Sequence, residues 1–152
     1  MFITDALLGE HGIFHLLLQD LEQALPALDS VAALQHRAAP LAFSLDAHAA
    51  LEDELLFNAI EPHLGAQGGP LAVMRHEHDQ IVRLLESIPS APDLAQGRAL
   101  AAQMIQVSRG HFQKEEQVLF RMARQVLGEG ELAALGAKWS QRRGVYILES
   151  AA

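Results

Sequence analysis

Two segments of the chain, residues 48–57 and 111–120, repeat the same arrangement of side chains. Each begins with a histidine, has a glutamate four residues later and ends in Leu-Phe. The two glutamates, Glu52 and Glu115, are 63 residues apart, and so are the two histidines. Residues four apart lie on one face of an α-helix, so each segment presents an imidazole beside a carboxylate. The repeat therefore predicts two helices that each carry half of a metal site.

Apolar residues recur every three or four positions along most of the chain, which is typical of amphipathic helices. The predicted helices span residues 4–25, 40–64, 70–88, 93–127 and about 131–142. Pro40 is expected to be the first residue of the second helix, and Gly128 the C-cap of the fourth. Short connections predict an all-α, up-down-up-down four-helix bundle over about residues 4–127. A short fifth helix and a tail over about 129–152 complete a single domain of residues 1–152.

The repeat continues in the first and third helices, where a Glu-His dipeptide and a later Leu-Leu recur 67 residues apart. All four long helices thus place a histidine in an apolar stripe. We identify seven candidate metal ligands: His11, His15, His48, Glu52, His78, His111 and Glu115. His15 has no counterpart on the third helix, where Val82 stands. It is therefore expected to make two metal positions inequivalent and to mark the side with an open coordination position.

A single histidine on an apolar face is more often a hydrogen-bonded core residue, and a single His-x-x-x-Glu is usually an exposed helix pair. Here both features recur inside apolar stripes. Two unpaired carboxylates at the centre of a bundle would be very costly, and metal cations remove that cost. Inward-facing histidine and glutamate side chains are also how bundles bind two metal ions. The recurrence therefore favours a metal site.

The remaining polar and aromatic residues near the repeats are expected to play lesser parts. Asp53, Glu54 and Glu116 should face solvent or orient the ligating imidazoles. Phe57 and Phe120, nine residues after their histidines, should lie opposite the ligand stripe and pack against the terminal segment. A dry pocket around the metal is expected to be lined by Leu18, Leu55, Val82, Val118 and Met122. Three histidines are expected to lie outside the site: His36, His63 and His76.

The composition excludes several classes of protein. The chain has no cysteine, which excludes disulfides, zinc fingers and cysteine-ligated iron–sulfur clusters. A net charge of −8 argues against a nucleic-acid partner. The N-terminus lacks the features of a secretory signal, and no apolar run is long enough to span a membrane. A soluble, cytoplasmic protein is therefore expected.

The combination of histidine on the first and third helices with His-x-x-x-Glu on the second and fourth resembles the hemerythrin-like, HHE cation-binding family. The resemblance covers about residues 4–127. It implies a four-helix bundle with a non-haem di-iron centre, in which two iron ions share an oxo or hydroxo bridge. It further implies that Glu52 and Glu115 bridge the irons. The terminal ligands would be His11, with or without His15, and His48, His78 and His111.

The chain departs from oxygen-carrying hemerythrins, which place two histidines on the third helix and an acid five residues after the histidine of the fourth. Here the double histidine is on the first helix and the spacing is four. The chain thus resembles the broader bacterial branch of the family more than the oxygen carriers, and reversible oxygen carriage is not expected. Iron is expected from the resemblance, while the mixed donor set also suits zinc or manganese.

The expected function is to bind or react with a small ligand (O2, NO or H2O2) at this centre, and whether it turns over as an oxidoreductase is left open. One alternative is an iron, oxygen or redox sensing module without turnover. Another is an HD-type metal phosphohydrolase, suggested by His78-Asp79, and a third is a bundle without metal. The Glu-x-x-His of ferritin-like oxidases and the His-Glu-x-x-His of zinc proteases are absent. The apolar tail 145–148 and Trp139 are expected to contact the bundle or a partner, for instance in a homodimer.

Overall fold

The computed structural model describes residues 1–65 and 69–146, and every regular element there is helical. The seven α-helices are α1 Ile3–Ala24, α2 Val31–Glu52, α3 Asn58–Leu64, α4 Pro70–Ser87, α5 Leu94–Lys114, α6 Phe120–Val126 and α7 Glu129–Arg143. Two π-helical segments, π1 Asp53–Phe57 and π2 Glu115–Leu119, join α2 to α3 and α5 to α6 without a break. Short 3-10 turns follow α1 and α4, at Leu25–Ala27 and Ile88–Ser90.

Four long rods therefore form the protein: α1, α2–π1–α3, α4 and α5–π2–α6. Consecutive rods are joined by short turns and pack side by side, which confirms the predicted four-helix bundle with a shorter fifth helix. In the described part of the chain, no helix combines the length and the apolar character needed to cross a bilayer.

Pro40 does not begin the second helix, as was predicted, but lies inside α2. The helix begins at Val31, where the Ser30 hydroxyl accepts a hydrogen bond from the backbone N–H of Ala33 at 3.1 Å. A proline inside a helix removes one backbone hydrogen bond. Leu34 and Ala38, which precede it, are buried at 0% and 4% exposure. Their burial offsets the lost bond, so the helix extends through the proline.

Gly128 is not the C-cap of the fourth rod but the N-cap of α7, with φ −73° and ψ 157°. The fourth rod ends at Leu127 in an extended conformation, and α7 follows immediately. The prediction was wrong because no loop separates the two helices. Gly144 ends α7 in the left-handed conformation, at φ +66°.

The two π segments rotate the aromatic residues that follow them. Nine residues of α-helix turn by about 900°, which places the last residue opposite the first. A π segment adds one residue to a turn and so shifts the following side chains by about 100°. As a result Phe57 stacks on His78, with ring centroids 5.6 Å apart, and Phe120 stacks on His11 at 5.4 Å. The prediction that these rings lie opposite the ligand stripe was therefore wrong.

The expected packing of these rings against the terminal segment does occur. Phe57 and Phe120 belong to a buried cluster that includes Leu132 and Leu135 of α7. Helix α7 approaches the N-terminus so closely that a Cβ on Gly136 would lie 2.3 Å from the carbonyl oxygen of Met1. Only glycine fits this contact.

A second apolar cluster fills the other half of the bundle, and the polar candidate ligands lie between the two. The second cluster is formed by residues such as Phe14, Leu18, Leu45, Ile81, Met104 and Phe112. Part of the predicted tail 145–148 falls outside the described residues. Val145 and Tyr146, which are described, are 49% and 72% exposed.

Truncating a phenylalanine at the π1 junction should test this packing. Phe57 is fully buried, whereas Phe43 on α2 is 77% exposed. We expect Phe57→Ala to lower the free energy of unfolding of the metal-free protein by about 3–5 kcal/mol, because it leaves a cavity. Phe43→Ala, the matched control, should change it by about 0.5 kcal/mol or less. Urea unfolding measures both, and equal effects would contradict the packing described.

Candidate metal centre

Four histidines, one from each rod, converge between the two apolar clusters. They are His11 on α1, His48 on α2, His78 on α4 and His111 on α5, and none is more than 8% exposed. The Nε2 atoms of His11 and His48 lie 3.2 Å apart, and those of His78 and His111 lie 2.9 Å apart. The histidines thus form two pairs whose Nε2 atoms face the bundle axis.

Glu52 and Glu115 connect the two pairs, and both are 0% exposed. Glu115 directs Oε2 toward His11 Nε2 at 3.4 Å and Oε1 toward His111 Nε2 at 3.2 Å. The Glu52 Oε2 atom lies 3.7 Å from the Nε2 atoms of both His48 and His78. Each carboxylate therefore faces one histidine of each pair.

These six side chains form two groups of four in which both glutamates are shared. One group contains His11, His48, Glu52 and Glu115, and the other contains Glu52, His78, His111 and Glu115. Within each group one ligand atom per residue lies within 4.8 Å of all the others. The helical spacing of four residues brings histidine and glutamate together on α2 and across the α5–π2 junction, as predicted from the repeat.

Among the described residues the buried carboxylates have no hydrogen-bond partner, since all four oxygens of Glu52 and Glu115 are unpaired. Burial raises the pKa of Glu115 to about 8. Burial and the neighbouring Glu115 raise the pKa of Glu52 well above its ordinary value. Burial lowers the pKa of His11 to about 2, so this imidazole is neutral at physiological pH and cannot compensate the carboxylates. A cation bound among nitrogen and oxygen donors would supply the missing partner, so the residues present fit a metal ion.

Each ligand-type histidine has a carboxylate on the opposite side of its ring. His48 Nδ1 lies 2.6 Å from Glu10 Oε2, and His111 Nδ1 lies 3.2 Å from Glu77 Oε2. An ionised carboxylate only accepts hydrogen bonds, so Nδ1 carries the proton and donates it. The Nε2 lone pair is then left free to point inward, which is the arrangement seen for histidines that bind metals.

The second histidine of each pair follows the same pattern. His11 Nδ1 lies 3.1 Å from Glu116 Oε1, within hydrogen-bonding distance. His78 Nδ1 lies 3.7 Å from Asp53 Oδ2, too far for a hydrogen bond but within ion-pair range. Of the two roles considered for Asp53 and Glu116, orienting an imidazole is the one the geometry supports. Glu54 is instead exposed and pairs with Arg142.

Sequence reasoning assigned no role to Glu10 and Glu77, although the Glu-His repeat contained the signal. Each glutamate precedes a histidine on its own helix but reaches a histidine on the next rod. The dipeptide Glu10-His11 therefore contributes one imidazole to the site, that of His11 on α1, and orients a second one, that of His48 on α2. A pairing between helices of this kind is visible only in the folded chain.

His15, the seventh candidate, is not brought together with the other six. Its side chain is 44% exposed, and its Nε2 contacts Glu116 Oε1 at 3.2 Å. It therefore shares a carboxylate with His11 rather than facing the groups. The histidines expected to lie outside the site, His36, His63 and His76, are all exposed.

The two halves of the centre differ in how their outer carboxylates are held. Arg143 on α7 contacts both oxygens of Glu10, at 2.6 and 2.9 Å, and the Trp139 indole N–H donates to Glu10 Oε1 at 2.9 Å. Burial opposes ionisation, but hydrogen bonds from His48 and Arg143 lower the pKa of Glu10 to about 2. The equivalent Glu77 contacts the half-exposed Lys114. Helix α7 thus fixes the outer carboxylate of the His11–His48 half, Glu10, more firmly than Glu77 is fixed in the other half.

A cavity of about 280 Å³ opens between α2 and α4 and reaches three of the histidines, His48, His78 and His111. It does not reach His11, so it lies away from the His15 side where an open position was expected. Its apolar wall includes Leu45, Ala49, Ile81, Val82, Leu85 and Phe112.

Only one of the five residues expected to line the pocket does so, namely Val82. Leu18 and Leu55 instead belong to the two apolar clusters, and Val118 is half exposed. Met122 is partly buried but does not line the cavity either. The helical stripes identified residues near the ligands, but the gap between α2 and α4 determines which of them face the cavity.

The stability of the metal-free protein should fall between about pH 7 and 8. The usual pKa of a glutamate is 4.5, and that of Glu115 in the folded chain is about 8, so unfolding releases a proton in this range. Each such group lowers the free energy of unfolding by up to about 1.4 kcal/mol per pH unit. The histidines whose pKa is lowered by folding change the stability only below about pH 6.5, the usual pKa of the side chain, so they do not affect this range. Urea unfolding should show the decline and a weaker decline in Glu115→Gln, where only Glu52 keeps a raised pKa, whereas the exposed Glu54→Gln should behave as wild type. A flat wild-type profile would contradict the unpaired carboxylates.

Removing the α7 contact should weaken metal binding. Arg143→Gln leaves Glu10 without its bidentate partner, and loss of such support lowers metal affinity by about 10–100-fold. The neighbouring Arg142 contacts only the exposed Glu54, so Arg142→Gln is the matched control. Titration with Zn²⁺ against a competing chelator gives the affinities, and the fluorescence of the sole tryptophan reports on the Glu10 half. Equal affinities in the two variants would exclude a role for α7.

Comparison with known families agrees with this geometry. The sequence model described as the hemerythrin HHE cation binding domain matches residues 3–123. No curated protein and no solved structure matches the chain at a significant level. The matched region contains all six converging side chains and ends before α7. Since it covers most of the chain, the protein belongs to the hemerythrin HHE cation-binding domain family, a family of metal-binding helical proteins.

Proposed function

We propose that the protein binds two iron ions, one in each His/Glu group, and uses them to bind or react with a small ligand such as O2, NO or H2O2. The observation that carries this proposal is the pair of buried, unpartnered carboxylates shared by two groups of four donors. Membership of the cation-binding family supports a metal ion, and the proposal of iron extends the family resemblance.

Six of the seven candidate side chains would hold the metal. His11, His48, His78 and His111 would each contribute Nε2, and Glu52 and Glu115 would contribute a carboxylate to both groups. Exposure and contact with Glu116 argue against His15 as a direct ligand and favour a role in orienting Glu116. When bound, iron would supply coordination positions not taken by the protein and one-electron chemistry.

The chain itself would orient the ligands and limit access to them. Glu10, Glu77 and Glu116 hold the protons of three imidazoles on Nδ1 and so keep Nε2 free. Phe57 and Phe120 stack on His78 and His11 and restrict rotation of their rings. Preorganised ligands of this kind bind a metal ion without further ordering of side chains.

The cavity between α2 and α4 supports a small, weakly polar ligand. It is lined mainly by apolar side chains but ends on His48, His78 and His111. An apolar passage admits O2 or NO readily and disfavours charged molecules, which would lose their hydration. The alternative of an HD-type phosphohydrolase is disfavoured because Asp79 is exposed and belongs to neither group.

Anaerobic loading with Fe²⁺ should give about two iron ions per chain, as expected for a bundle with two His/Glu groups. His111→Ala should lose iron, because it removes a donor from one group. His15→Ala should retain it, as should His76→Ala, an exposed histidine on the helix that carries His78. Metal analysis gives the content, and the visible spectrum should change on exposure to air.

Less than one transition metal per wild-type chain would exclude the proposal. Loss of iron in His15→Ala would instead restore His15 as a ligand. Stopped-flow mixing of the iron-loaded protein with O2, NO and H2O2 then distinguishes the three ligands, and rapid reaction with none of them would favour a metal-binding role without turnover.

A further inference from the structure

The outward face of α1 exposes an unusual number of large apolar side chains. Leu8, Ile13, Leu16 and Leu17 are 48%, 58%, 63% and 36% exposed. In the described part of the chain, each of the other helices exposes at most one large apolar residue. The face lies opposite His11 and the other buried residues of α1, which pack toward the rest of the bundle. Clustered apolar exposure on one helix marks an interaction surface.

Two glycines on this face have no explanation within one chain. A Cβ on Gly9 or Gly12 would meet nothing within 4 Å, and neither residue has positive φ. Glycine inside a helix costs about 1 kcal/mol relative to alanine. By contrast, a Cβ on Gly97 would lie 3.2 Å from Leu34 Cδ2, so that glycine allows close packing. The α1 glycines therefore indicate that another surface approaches α1 from outside.

Gly110 on α5 is also open, but its surroundings differ. Most of its neighbours on the same helical face are polar and exposed, namely Gln103, Gln106, Gln113 and Lys114, and Val107 is partly buried against the core. Among the helices that the structure describes, only α1 has open glycines that alternate with large, exposed apolar residues.

The α1 face is complementary to itself when its direction is reversed. Consider a second α1 helix that runs in the opposite direction and is aligned at the midpoint between residues 12 and 13. Gly9 of one helix then lies opposite Leu16 of the other, and Gly12 lies opposite Ile13. Ile13 and Leu16 then each lie against a glycine of the opposing helix. The reversal also places Leu8 opposite Leu17, so that apolar residues flank the contact. A surface that matches itself in this way is the requirement for a two-fold symmetric interface.

The charges at the two ends of the face match as well. Asp5 pairs with Arg124 at one end, and Asp20 pairs with Arg37 at the other. The same reversal exchanges Asp5 with Asp20. Each end of the contact would therefore bring together two aspartates and two arginines, and each arginine would gain a second carboxylate. This arrangement avoids repulsion between two chains that each carry a net charge of −8.

We propose that α1 packs antiparallel against α1 of a second copy of this chain, with a two-fold axis passing between Gly12 and Ile13. The occupant is a second copy because both the size pattern and the charge pattern match under the same reversal. The contact leaves the cavity between α2 and α4 accessible, since no α1 residue lines it. The proposal does not depend on which metal or ligand the centre binds.

The mass in solution tests the proposal. Light scattering should give twice the 16.6 kDa of one chain. Leu16→Glu should give a monomer, because it buries a charge at the contact. Val73→Glu on α4, which replaces a side chain that is 48% exposed, is the matched control and should remain a dimer. A monomeric wild-type chain, or a dimer that persists in Leu16→Glu, would overturn the proposal.

Gly12→Leu separates loss of the contact from loss of the fold. Leucine is a better helix former than glycine, and a Cβ at this position meets no atom of the same chain. The variant should therefore be monomeric yet unfold at a higher temperature than the wild-type chain at a dilution where both are monomeric. A dimeric Gly12→Leu would contradict the close approach of two helices.

Crosslinking tests the antiparallel direction, because the chain has no cysteine of its own. In the proposed contact residue 9 of one copy lies opposite residue 16 of the other, and identical positions are about 10 Å apart along the axis. A disulfide needs Cα atoms within about 7 Å. An oxidised mixture of Gly9→Cys and Leu16→Cys chains should form the mixed dimer, whereas each variant alone should not. Efficient crosslinking of either variant alone would exclude the antiparallel arrangement.

Discussion

The burial of two carboxylates at the centre of a helical bundle is the constraint on which the rest of this structure depends. Glu52 and Glu115 are fully buried, and none of their oxygens has a hydrogen-bond partner within residues 1–65 and 69–146. Four imidazoles surround them, and apolar clusters close the space on both sides. Ionised carboxylates in such a place are stable only with a cation, so the bundle is built to be completed by metal.

The internal repeat extends beyond the six converging side chains to the residues that orient them. Glu10 and Glu77 occupy equivalent places on α1 and α4 and hold equivalent histidines on the next rod. The repeat does not include α7. This helix has no counterpart among the other helices and lies beyond the region matched by the family model. Through Arg143 and Trp139 this helix supports Glu10 alone. One asymmetry between the two halves of the centre therefore arises from an added helix.

The π segments connect the ligands to the core. Each begins at or directly after one of the two converging glutamates, so the helix is α-helical where histidine and glutamate share a face. The extra residue that follows rotates Phe57 and Phe120 onto histidine rings. π segments are rare and often lie at functional sites, and here the same one occurs twice because the sequence repeats. A strict count of 3.6 residues per turn placed both rings on the wrong side.

The sequence by itself determined the fold class and a set of seven candidate side chains that includes the six that converge, because both follow from spacing along single helices. Apolar periodicity identified the rods, and the four-residue spacing placed histidine and glutamate on one face. Tertiary structure decided which carboxylate holds which imidazole, where the cavity lies, and that His15 is left outside. It also decided that α2 continues through Pro40. These features depend on distances between rods and on the burial of particular side chains such as Leu34, and no pattern within one helix encodes either.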